Sequence, residues 1–119
     1  MAAVGDGRIG ICFQPYDFSD SYGTLEVLRK LAPLVRHVHF QGRAADGAFC
    51  FLEDAPIDYR AVLRVLREAD FDGPLSIEFV KDCIVPEPTS MDLDLVLGNA
   101  ERDRLFLEEA ATEAGMVLS

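Results

Sequence analysis

Two hydrophobic periods alternate along this chain, and the alternation restricts its fold more than any other feature. Apolar side chains fall at every second position in 8–13 (Ile9, Ile11, Phe13), 35–41 (Val38, Phe40) and 75–80 (Leu75, Ile77, Phe79). That is the period of a strand. Between and after them, apolar residues recur at helical spacing: Leu25, Leu28 and Leu31 in 24–31, Val62, Leu63, Leu66 and Ala69 in 59–69, and Leu105, Phe106 and Ala110 in 100–114. Asp58 stands where an N-cap is wanted for the second of these helices. Pro15 stops the first strand, Pro33 ends or tightens the first helix, and Phe71-Asp-Gly-Pro reads as a turn. The order is therefore β-α-β-loop-α-β-α, which predicts parallel strands joined by right-handed crossovers.

The strands are not apolar on both faces, as strands covered on both sides are. Opposite the apolar set stand Gly10, Cys12 and Gln14, then His37, His39 and Gln41, then Ser76 and Glu78. A barrel lumen with polar groups at the C-terminal strand ends fits this better than an open doubly wound sheet. The expected class is thus α/β, a partial (half) TIM barrel of three parallel strands alternating with helices. Residues 1–7 are expected to be a flexible lead-in and 8–119 the barrel-like domain. The long connection 42–56 has the length of a functional loop, with a short hairpin arm at 49–52. Residues 81–98 are mixed, broken by Pro86 and Pro88.

His39 and Glu78 lie near the C-terminal ends of two parallel strands, where such folds bind ligands. Imidazole with carboxylate is an ordinary ligand set for zinc, manganese or magnesium-type ions. A carboxylate within an apolar strand is costly unless paired or metal-bound, which singles out Glu78. Gln14 ends the first strand at the same level and offers a neutral ligand or a hydrogen bond, and Asp17 lies three residues on in the loop. His37 sits nearer the strand start, with the plainer alternative of a satisfied core histidine. Arg43 could hold a phosphate or carboxylate, against the plainer reading of a solvated loop arginine. The cysteines read as small core or loop residues.

Composition narrows the class. The 119 residues suit one domain with a real core. A net charge of -10 disfavours nucleic acid as a partner. No apolar run approaches the roughly 20 residues that span a bilayer, so no membrane partner is expected. Three cysteines at wide spacing, Cys12, Cys50 and Cys83, make no disulfide framework. Together with the lack of a visible secretory signal, they point to a cytoplasmic location.

From Arg8 to about Ala114 the chain resembles the C-terminal half of the xylose-isomerase-like TIM barrel superfamily, which comprises sugar (phosphate) isomerases and epimerases with endonuclease IV-type relatives. Val35-Arg-His-Val-His-Phe-Gln looks like that family's strand ending in a histidine ligand. The segment from Ile57-Asp-Tyr through Phe71-Asp-Gly-Pro-Leu-Ser-Ile-Glu-Phe79 looks like its helix and last strand. The strand ending in Gln14-Pro-Tyr-Asp17 falls where the family often shows an Asp and, three residues later, a His. The resemblance implies His39, Glu78 and Gln14 as ligands of a divalent metal (Mn, Zn, Mg or Co), Glu78 also as a catalytic carboxylate, and Arg43, Asp17 and His37 at the substrate. Gln14 and Asp17 depart from the family's pattern. The family's second catalytic Glu lies on an earlier strand that this chain does not encode.

The implied chemistry is metal-assisted 1,2-proton transfer on a small sugar or hydroxy-carbonyl substrate. A full barrel takes roughly 250 residues, so the missing strands would come from elsewhere. Open sheet edges invite pairing, and a homodimer or a complex with the missing barrel half is expected. The alternative is a non-catalytic binding or assembly module that retains half of the barrel fold. An endonuclease relative is disfavoured by the charge.

Overall fold

The computed structural model describes residues 9–14 and 21–118. The lead-in at 1–7 and Asp17 lie outside the described residues. Strand β1 spans Ile11–Phe13, helix α1 Ser21–Leu31 and strand β2 Val35–Phe40. A hairpin follows, β3 (Gly42–Arg43) against β4 (Phe49–Cys50). Helix α2 spans Tyr59–Glu68, strand β5 Leu75–Ile77 and helix α3 Leu93–Glu113. The molecule is thus mixed α/β, with a three-stranded sheet ordered β1-β2-β5 and three helices. Both pairings are parallel, as the alternation predicts. These elements are compatible with a partial α/β fold.

β2 is the central strand. Val38 pairs with Phe13 on one side and Leu75 on the other, and Phe40 pairs with Ile77. Between Ile11 and Cys12 the β1–β2 register shifts by a bulge, which sets Cys12 opposite His37. Val38 and Phe40 are wholly buried, together with Leu28 of α1, Val62, Leu63 and Leu66 of α2 and Ala111 of α3. One face of the sheet therefore lies under the helices, as its apolar alternation requires. Two members of the expected apolar set depart from it. Ile9 precedes β1 and is 63% exposed. Phe79 lies two residues past the end of β5 and stacks on Phe49 of the hairpin, with ring centroids 4.9 Å apart.

Local chemistry fixes the helices. The Asp58 carboxylate accepts the Ala61 N–H at 3.1 Å and caps α2. Asp92 accepts the Leu95 N–H at 3.1 Å and caps α3, which therefore starts at Leu93 rather than at 100. Leu93, Leu95 and Leu97 are exposed, so that first part shows no buried stripe. The turn into β5 needs a glycine, because a Cβ on Gly73 would sit 2.1 Å from the Arg36 carbonyl oxygen of β2.

Asp103 ties α3 to the connection after the hairpin. Its Oδ1 accepts the Leu52 N–H at 3.0 Å, while its buried Oδ2 has no hydrogen-bond partner. Burial pushes its carboxyl above the ordinary aspartate value, against the opposing pull of the Leu52 N–H. A folded-state value above the unfolded one means that stability is lost as pH rises through the folded-state value. Asp103→Asn keeps the bond from Leu52 and removes the charge. It is expected to be about 1 kcal/mol more stable than wild type at neutral pH, with the difference vanishing below the ordinary aspartate range. Urea denaturation at a series of pH values measures this.

Candidate functional site

The polar face of the sheet is built by strand parity. Within β2, Val38 and Phe40 go to the core, so His37 and His39 project the other way. Cys12 stands beside His37 across one pairing and Ser76 beside His39 across the other. Gln14 and Glu78 follow immediately after β1 and β5. The Glu78 N–H still donates to the Phe40 carbonyl at 3.0 Å, so the ladder continues one residue past β5 and fixes where Glu78 leaves the sheet.

Glu78 has two polar neighbours. Gln14 Nε2 donates to Glu78 Oε2 at 2.5 Å, and His39 Nδ1 lies 3.6 Å from the same oxygen. The His39 and Glu78 side chains remain 29% and 32% exposed, so solvent screens the pair and a ligand can reach it. His37 Nε2 lies 2.7 Å from Ser76 Oγ, within hydrogen-bond reach. The two imidazoles meet edge to face, their centroids 4.6 Å apart at 89°. Cys12 Sγ and a nitrogen from each imidazole lie within 4.8 Å of one another. Among the described residues this is the group of three or more His, Cys and acidic side chains with spacing suited to a metal ion, and Glu78 is not a member of it.

The structure thus brings Gln14, His39 and Glu78 together at the C-terminal strand ends, with His37 beside His39. Arg43 is placed in the hairpin. Its guanidinium lies over the Phe49 ring at 4.1 Å and donates to the Gly47 carbonyl at 3.0 Å. Its Nε is buried without a hydrogen-bond partner. Arg43, Phe49, Phe79 and Ile84 line a separate cavity of about 540 Å³. Asp17 lies outside the described residues.

Two residues at the site were not singled out from the sequence. Cys12 is exposed on the sheet, which corrects its reading as a small core or loop residue. Ser76 holds His37. The signal for both was parity with the histidines across parallel strands, but it becomes decisive only once the register is known. Burial, then the nearby Asp54 and Asp103, push the Cys50 thiol above its ordinary value.

Behind the site, Tyr59 of α2 is buried and its hydroxyl donates to the Gln41 carbonyl just past β2. Burial raises the phenol above its ordinary value, so the donor keeps its proton across the working pH range. The bond anchors the strand end that carries His39. Tyr59→Phe strips the donor from a buried carbonyl and is expected to cost about 1–2 kcal/mol, read as a lower urea midpoint at unchanged slope.

No helix among the described residues is long and apolar enough to cross a membrane. The chain matches no protein-family model, and neither a curated protein nor a solved structure matches it significantly.

Proposed function

We propose that this chain is one half of a sugar (phosphate) isomerase or epimerase-like barrel, in which Glu78 moves a proton between adjacent carbons of a small hydroxy-carbonyl substrate. The observation that carries the reading is the convergence of Gln14, His39 and Glu78 at the C-terminal ends of three adjacent parallel strands. The resemblance of 8–114 to the xylose-isomerase-like barrels supports it, as does the packing of the described helices on one face of the sheet. Glu78 is the base. Gln14 orients its carboxylate by donating to Oε2, and His39 is placed to bind the ion or a substrate oxygen. The ion, when bound, polarises the substrate's oxygens.

Abstraction and exchange need only one carboxylate, whereas net isomerisation needs a second acid or base from the other half. The chain, with a hydroxy-carbonyl sugar or its phosphate and Mn2+ in D2O, is expected to introduce deuterium at the carbon next to the carbonyl. Glu78→Gln is expected to slow this by a factor of about 10²–10⁴. Proton NMR follows the loss of that C–H signal. Exchange that proceeds unchanged in Glu78→Gln, or none across aldoses, ketoses and their phosphates, removes the catalytic reading in favour of a non-catalytic binding module.

A completing half would have places to join. β1 and β5 are the sheet's edges. Beside β5 lies a groove of about 750 Å³ lined by Leu75, Ile77, Leu97 and Met116 among others. Leu97 is 66% exposed there. Apolar surface next to an open strand edge favours association. Sedimentation of the purified chain is expected to give a dimer; a monomer at high concentration overturns completion by a second copy.

A further inference from the structure

We infer that Cys12, His37 and His39 form a zinc site with an open fourth position on the face of the sheet opposite the helices. The inference stands on Cys12 and His37 and does not depend on the isomerase reading. Three observations carry it. The three donors come from adjacent strands and lie within 4.8 Å of one another. Each histidine has one ring nitrogen facing a polar side chain: Ser76 Oγ lies 2.7 Å from His37 Nε2, within hydrogen-bond reach, and Glu78 Oε2 lies 3.6 Å from His39 Nδ1, at ion-pair distance. These contacts leave the other nitrogen of each ring for an ion. Zinc-ligating histidines usually have this arrangement, with a hydroxyl or carboxylate fixing the tautomer from the far side. The third observation is that Cys12 is exposed and makes no disulfide, so its thiol is accessible.

The donor set selects the ion. One thiolate and two imidazoles suit zinc, whereas magnesium and manganese prefer carboxylate and water oxygens. Tetrahedral zinc with sulfur at about 2.3 Å and nitrogen at about 2.0 Å sets its ligands roughly 3.3–3.6 Å apart. Donors that lie within 4.8 Å of one another would have to close by no more than about 1.5 Å to reach that spacing, a shift on the scale of side-chain rotation. Binding converts the Cys12 thiol to thiolate and releases its proton to solvent. Three protein ligands leave one position for water or a ligand oxygen, the pattern of a catalytic rather than a structural zinc site. Glu78 then orients His39 from behind and does not touch the ion.

Cobalt(II) substitution tests this, because a Co–thiolate bond adds a near-ultraviolet charge-transfer band and tetrahedral Co2+ gives strong visible bands. The reduced, metal-free chain titrated with Co2+ is expected to develop both bands at one equivalent and to lose them when Zn2+ is added. Cys12→Ser removes the charge-transfer band, while the double variant Cys50→Ser, Cys83→Ser keeps it. His37→Gln and His39→Gln each weaken binding, and Glu78→Gln weakens it about tenfold while keeping the bands. Circular dichroism checks the fold of each variant; Cys12 is exposed, so its replacement leaves the core intact and the serine variant alone decides the point. A charge-transfer band that survives Cys12→Ser, or Co2+ binding without that band, overturns the proposal.

Discussion

The parallel registration of β2 between β1 and β5 is the constraint on which the rest of the molecule depends. Val38 is paired on both sides, so its neighbours in β2 cannot slip without breaking two ladders. A one-residue slip would exchange the faces of the strand and bury His37 and His39 in place of Val38 and Phe40. Each of those apolar side chains contributes about 2 kcal/mol by burial, and a buried unpaired imidazole would add a further cost. Register is therefore enforced by the core, and the polar face inherits its order from that enforcement.

The same registration explains why the polar groups interact at all. His37 and His39 are two residues apart on one strand, too far along the sheet to share all their partners. Ser76 and Glu78 keep the same spacing on β5, and Cys12 and Gln14 keep it on β1. Three strands with one parity produce two contact rows: Cys12 and Ser76 meet His37 toward the strand starts, although the register sets Ser76 opposite His39, and Gln14 and His39 meet Glu78 toward their ends. The rows are not isolated. His37 and His39 meet edge to face, and both belong to the group with metal-ligand spacing. Charge is concentrated in the second row, where Glu78 stands, and sulfur in the first.

Much of this was legible from hydrophobic period. The parallel order, the Asp58 cap and the opposite faces of β2 follow from alternation and helical spacing, because in these segments local pattern and tertiary burial agree. The start of α3 was not legible. Asp92 caps it, but Leu93, Leu95 and Leu97 point to solvent, and apolar residues outside the core carry no period to read. Cys12 was missed for a different reason. The bulge between Ile11 and Cys12 decides which β2 residue stands opposite the thiol, and a one-residue shift between strands leaves no trace in either sequence segment.

His39 is where the two chemistries compete. Its Nδ1 faces Glu78, so a free carboxylate acting on a substrate and a carboxylate holding an imidazole toward an ion are alternative uses of one oxygen. Gln14 already donates to that oxygen, which leaves Oε1 as the less encumbered atom for proton transfer. An ion on Cys12, His37 and His39 would therefore act on Glu78 without displacing it. By drawing on His39 it would polarise the imidazole whose Nδ1 faces Oε2 at 3.6 Å. A zinc ion on Cys12, His37 and His39 and proton abstraction by Glu78 would in this sense be coupled through a single ring, that of His39. A site of this kind gains most when the ion's open position, and not Glu78 alone, holds the substrate oxygen.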